Sequence, residues 1–154
     1  MPTDKTISRD RESYSYWTSV SLRYSDQDPM QHINNVAIAA LLESGRVGLF
    51  GHIFADTPLT AESLVLARLT VDYLQEITFP GSVDVGGMLA QIGDRSMTTH
   101  YAIFQGDACC VISQSVTVFF DPVTRRSAQP TADVRAALQN FHRQGTALTP
   151  QSSG

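Results

Sequence analysis

Ten residues, Asp26 to Asn35, read DQDPMQHINN and gather two carboxylates, a proline, an imidazole and two carboxamides. They lie between a strand-patterned segment and the most apolar helical segment of the chain. A carboxylate can attack an electrophile or activate water, and an imidazole can position either. Pro29 disfavours helical geometry at Asp28, which puts that carboxylate in an extended or turn conformation just ahead of the helix. His32 follows four residues on, and after it come the first free N–H groups of the helix, a ready site for a developing oxyanion. Each member also has a structural reading. Asp28 can be an Asx-turn residue, His32 a hydrogen-bonded structural histidine, Asn34 and Asn35 helix caps, and Asp26 a solvent-facing turn residue. A metal centre is disfavoured, because the chain has four histidines and no HxxxH, HExxH or CxxC spacing.

The elements that must hold this stretch are legible from periodicity. From Tyr16 to Tyr24 the even positions read Tyr, Thr, Val, Leu, Tyr, with Ser19, Ser21 and Arg23 between them, the alternation of a half-buried strand. NNVAIAALLESGRVGLFGHI then predicts a helix of some four turns capped by Asn34 or Asn35. Only Glu43 and Arg46 are charged before His52, so the helix is expected to be enclosed by other structure. Gly45, Gly48 and Gly51 would admit close neighbours, or one of them would end the helix. Four strand patterns follow: LVLARLTVDYLQEI, with Val65, Ala67, Leu69, Val71 and Tyr73 on one face, then SVDVGGMLAQIG, SMTTHYAIFQ and ACCVISQSVTVFF. Gly106 and Asp107 mark a hairpin. In TADVRAALQNFHR, Thr131 caps a short helix with Val134, Ala137, Leu138 and Phe141 at helical spacing. The order asks for an α+β fold in which one curved antiparallel sheet wraps one helix.

Length and composition agree with one domain, expected over residues 14–142, with 1–13 and 143–154 as flexible termini. The chain has 154 residues, 42% hydrophobic and 17% charged, with net charge −4, the profile of a globular protein. No basic run provides a footprint for nucleic acid or an anionic membrane, so any phosphate contact must come from a few local arginines. Cys109 and Cys110 are adjacent in a strand pattern and point to opposite faces, which suits neither a mutual bridge nor a ligand set. A reducing cytoplasm is the expected compartment. The N-terminal MPTDKTISRDRES has no apolar stretch after its charges and does not read as a secretory signal. No run of about 20 uninterrupted apolar residues predicts a membrane span.

LRYSDQDPMQHINNVAIAALLESGR resembles the opening strand, loop and helix of hotdog-fold thioesterases of the 4-hydroxybenzoyl-CoA thioesterase type, near the long-chain acyl-CoA and plant acyl-ACP thioesterase branch. The pattern there is R-x-x-D-x-D-x-x-x-H-V-N-N, followed by a helix carrying E-x-x-R. Here those positions are Arg23, Asp26, Asp28, His32, Ile33, Asn34, Asn35, Glu43 and Arg46. The element order extends the resemblance over about residues 16 to 130. It implies a hotdog fold with five antiparallel strands around one long buried helix and a short C-terminal helix. It also implies hydrolysis of an acyl-CoA or acyl-ACP thioester to free acid and thiol without a cofactor, in homodimers or homotetramers with sites between subunits.

Carried over by position, the resemblance makes Asp28 the nucleophile or general base and His32 the group that positions substrate, water or that carboxylate. The Asn35 N–H would polarise the thioester oxygen, and Asn34 would contact the site or cap the helix. Glu76 stands where plant enzymes add a catalytic glutamate, or is an exposed strand-end residue. Met30 replaces a catalytic asparagine of the plant enzymes and is expected against substrate. Ala37 and Ile38 replace an Asn-Tyr pair and would alter the acyl pocket. Glu43 and Arg46 read as a helix-face pair, although a helical carboxylate is catalytic in another hotdog branch. Arg95 and Ser96 are expected near the pantetheine arm. Arg125 and Arg126 would meet phosphates or remain solvated. Two other classes share the fold: an enoyl-CoA hydratase, whose D-x-N-P-[LI]-H separates Asp and His by five positions against six and four here, and a non-catalytic acyl-thioester binder.

Overall fold

β-branched and aromatic residues at alternating positions favour extended chain, and five such runs form one antiparallel sheet. The computed structural model describes residues 7–59 and 63–147. In chain order the elements are β1 Tyr16–Ser21, α1 Asn35–Ile53, β2 Leu64–Tyr73, β3 Ser82–Ile92, β4 Ser96–Gln105, β5 Ala108–Asp121, the two-residue β6 Arg126–Ser127, and α2 Ala132–Ala147. The sheet order is β1-β3-β4-β5-β2, with β6 added to β5. Gly106 at φ +60 turns the chain between β4 and β5, and Thr131 caps α2 by accepting from the Val134 N–H at 3.3 Å. These features match the expected α+β hotdog architecture.

The sheet curls around the inner face of α1. Leu41, Leu42, Leu49 and Ile53 pack there against Val83, Val85, Met97, Tyr101 and Val111. Gly45 makes the close approach possible, because a Cβ there would lie 2.5 Å from Val85 Cγ1. Gly48 likewise meets the Tyr16 hydroxyl, whereas Gly51 faces open space, and the helix runs past all three. The expectation of full enclosure is corrected within one chain. The sheet covers one side only, and Val36, Ala39, Ala40, Glu43, Ser44 and Val47 are exposed on the other. By length and composition α1 could cross a bilayer, but its inner face is packed into the sheet.

Three local expectations also change. Residues 7–13, expected to fray, instead lie on the sheet's outer face, where Ile7 and Tyr14 are buried with Ala102, Phe104 and Ile112. α2 continues to Ala147, past the expected boundary at 142, while the rest of the tail lies outside the described residues, as do 1–6. A bulge at Ala67 breaks the alternation of β2. Leu64 and Leu66 therefore share a face with Leu69, Val71 and Tyr73, and Val65 turns to the other side. Cys109 joins the outer cluster and Cys110 the inner core, both as free thiols, so the adjacent pair does face opposite ways.

Candidate active site

The loop ahead of α1 is tied down by its own backbone. A 3-10 turn at Tyr24–Asp26 leads into it, and an antiparallel bridge joins Gln27 to Ile33. The Asp28 N–H donates to the His32 carbonyl at 2.8 Å, the Gln31 N–H to the Asp28 carbonyl at 2.9 Å, and the Ile33 N–H to the Ile77 carbonyl at 2.9 Å. Closing so short a loop forces Gln31 into the left-handed region at φ 65.

Asp26 is structural and buried, which corrects its reading as a solvent-facing turn residue. It is 7% exposed and takes the Arg23 N–H at 2.8 Å and the Arg23 guanidinium at 2.9 and 3.2 Å. Those guanidinium hydrogen bonds hold its carboxyl below the usual carboxylate range, against the opposing effect of burial. Its carbonyl accepts the Asn34 N–H at 2.9 Å and so locks the turn to the helix start.

Asp28 takes up the turn reading offered by the sequence. Its Oδ1 accepts the N–H groups of Met30 at 2.9 Å and His32 at 3.1 Å, an Asx-type arrangement. Its Oδ2 makes no hydrogen bond among the described residues. One oxygen is an anchor, and the other can do chemistry. Asn34 is the N-cap, its Oδ1 accepting the Ala37 N–H at 2.8 Å. That leaves the N–H groups of Asn35 and Val36, which by helix geometry have no intrahelical acceptor, at the positive end of α1.

His32 and Glu76 come together across the fold. Glu76 follows β2, and its Oε2 lies 3.1 Å from His32 Nε2. The pair is solvent-accessible, Glu76 the more so, and Met30 is exposed on the neighbouring turn. A carboxylate with one committed oxygen, an imidazole oriented by a second carboxylate and the start of a 19-residue helix thus share one short segment of surface. Such a set can deliver a nucleophile or base, hold a proton and stabilise an oxyanion.

The other expected site residues are not brought there in one chain. The Leu22 N–H bond to the Gly81 carbonyl puts the loop beside the start of β3, whereas Arg95 and Ser96 follow its far end. Eleven strand residues separate the two ends, roughly 30 Å at the usual rise. Arg95 donates to the Ser127 carbonyl at 3.2 Å, Arg125 sits over the Phe120 ring, and Arg126 lies in β6. Glu43 and Arg46 form the expected helix-face pair at 3.9 Å, yet the Arg46 side chain is only 11% exposed. The available signal was its position four residues after Leu42 and three before Leu49, on the inward stripe.

Comparison with known proteins adds a family to this geometry. The sequence model described as Thioesterase-like superfamily matches residues 22–138. The uncharacterized protein YsmA of Bacillus subtilis (strain 168) is 26% identical over 101 residues, covering 64% of this chain and 69% of that protein. A predicted thioesterase from Bacillus stearothermophilus superposes with TM-score 0.75 at 28% identity, over 82% of this chain and 95% of that one. A thioesterase from Thermus thermophilus, complexed with coenzyme A and Zn, gives TM-score 0.73 at 23% identity over 86% and 97% of the two chains. A DHNA-CoA thioesterase from Staphylococcus aureus gives 0.73 at 17% identity over 86% and 94%. The last two likenesses speak for the fold.

Proposed function

The chain belongs to the thioesterase-like superfamily, and from that premise we propose that it hydrolyses an acyl-CoA thioester to a free acid and a thiol, through the 4-hydroxybenzoyl-CoA thioesterase type of site. The observation that carries this reading is the split use of Asp28. Oδ1 is fixed by two loop N–H groups beside the start of α1, and Oδ2 is left for reaction. The Oδ2 atom attacks the thioester carbonyl or takes a proton from the water that does, and the N–H groups of Asn35 and Val36 receive the oxyanion. His32, oriented by Glu76, positions the water or the departing sulfur.

The site is completed in a homo-oligomer. Among the described residues β2 is an edge strand, hydrogen-bonded along one side, and it exposes Leu69 and Tyr73. An antiparallel pairing of two β2 edges around a two-fold axis is self-complementary and covers those side chains. In such a dimer Arg95, Ser96, Arg125 and Arg126 serve the pantetheine arm and phosphates of coenzyme A. Both cysteines are free thiols, which suits a reducing cytoplasm.

Thiol release from a panel of aliphatic and aromatic acyl-CoAs, with acyl-ACP as a second carrier, tests the reading. Turnover of at least one thioester is expected. Loss of enoyl-CoA absorbance without thiol release would instead identify a hydratase, and tight binding of every acyl-CoA without turnover a non-catalytic binder.

A further inference from the structure

Along its inner stripe α1 carries Leu42, Gly45, Arg46 and Leu49, and a guanidinium there is out of keeping with its neighbours. On the sheet face turned toward α1, β4 and β5 carry a run of hydroxyls. Thr99 stands opposite Ser115 in the ladder, and Tyr101 and Thr117 lie one same-face step to either side. All four are buried. Ser115 Oγ, Thr117 Oγ1 and Arg46 Nη1 have no hydrogen-bond partner among the described residues. Burial pushes the Tyr101 hydroxyl above its usual range, with Thr99 and the Arg46 charge pulling the other way, so it stays protonated and able to donate. Glu43 approaches only the other nitrogen, Nη2, at 3.9 Å and is itself 69% exposed. The guanidinium is a donor-only cation with no closer counter-ion among the described residues, and the hydroxyls around it have donors to spare.

Arg46 and Thr117 open onto a groove of about 460 Å³ between the second half of α1 and the β2–β5 edge. That volume lies within the usual range for small-molecule sites. Its walls are otherwise apolar and include Val47, Phe50, Phe54, Leu64 and Leu66. Hydrocarbon walls ending on a half-satisfied guanidinium are complementary to an amphipathic anion. We propose that this groove binds a carboxylic acid with a hydrocarbon tail, its carboxylate on Arg46 and Thr117 and its tail along Phe50, Phe54, Leu64 and Leu66. A carboxylate offers several lone pairs to these donors and forms charge-assisted hydrogen bonds with the guanidinium, which an alcohol of the same length cannot match. A dianionic head fits less well, because Glu43 stands at the rim and the walls are apolar. Arg46 lies eleven positions beyond Asn35, about 16 Å along the helix axis, so this site is separate from the Asp28 loop. It stands without the hydrolase reading; under that reading, the ligand class is the acid the reaction releases.

Titration calorimetry of the full chain with decanoate below its micellar concentration is the test. Decanoate binds once per chain, 1-decanol binds at least about tenfold more weakly, and Arg46→Met weakens decanoate by about tenfold or more. Thr117→Val weakens it less. The proposal is overturned if the parent does not bind decanoate, if Arg46→Met binds it as the parent does, or if a second copy of the chain fills the groove and excludes it. Should Arg46→Met fail to fold, Leu66→Trp, which narrows the groove from the edge strand, is expected to abolish binding, and unchanged binding would be equally fatal. None of these readouts requires catalysis, so a lack of thioesterase activity leaves the result interpretable.

Discussion

Asp28 Oδ1 ties the loop and Oδ2 is the proposed reacting atom, and substitutions separate the two. Asp28→Ala removes the acceptor of the Met30 and His32 N–H groups and loosens the loop, at a cost of about 1 kcal/mol in urea denaturation, whereas Asp28→Asn keeps an acceptor in place. Glu76→Gln withdraws the charge facing His32. Because the pair is exposed, the unfolding midpoint should hardly move, while kcat/KM falls about tenfold; equal activity would remove His32 and Glu76 from the mechanism. Asp26 gives a pH signature. Its carboxyl is held low in the folded chain, so its contribution is present above the unfolded value and is lost as pH falls through the folded one. Asp26→Asn is therefore less stable than the parent at pH 7, and the two urea midpoints converge as the pH drops below the ordinary carboxylate range. Asp28, His32 and the Asn34 cap were legible in the sequence because their relations are local. The burial of Asp26 was not, because one short polar stretch reads alike whether its arginine partner folds over it or points to water. The nearness of Glu76 to His32 depends on β2 and the loop meeting in space, which linear spacing does not encode.

At the scale of elements, two glycines of one helix should respond with opposite signs. Gly45→Ala inserts a methyl 2.5 Å from Val85 Cγ1, and overpacking of that kind costs about 1–3 kcal/mol. Gly51→Ala meets nothing within 4 Å and gains about 0.5–1 kcal/mol of helix propensity. Urea denaturation of the two variants checks both signs at once. Strand and helix positions followed from periods of two and 3.6, down to the two-residue hairpin at Gly106 and the Thr131 cap. The bulge at Ala67 escaped because an extra residue leaves an apolar run looking continuous while it reverses the face of everything before it. The N-terminal segment escaped for another reason. Its apolar anchors among the described residues are Ile7 and Tyr14, too few to show a period, and Arg11 ties it to Asp84 through a contact that spacing does not encode.

The whole molecule leaves one long edge of the sheet, β2, and the outer face of α1 uncovered in a single chain. Long edge strands invite pairing, and beyond the Ala67 bulge β2 keeps a regular stretch from Arg68 to Tyr73 that can pair. Sedimentation equilibrium is expected to give at least twice the 16.8 kDa chain mass, and Leu69→Lys to shift it toward the monomer with a parallel loss of turnover. A monomeric parent with full activity would place the complete site within one chain. The central claim, that the Asp28 carboxylate cleaves the thioester, is tested most directly by kcat/KM of Asp28→Asn on the best acyl-CoA of the panel. A fall of about a hundredfold or more, with an unchanged unfolding midpoint, is the predicted result. Turnover at the parent's rate would contradict it.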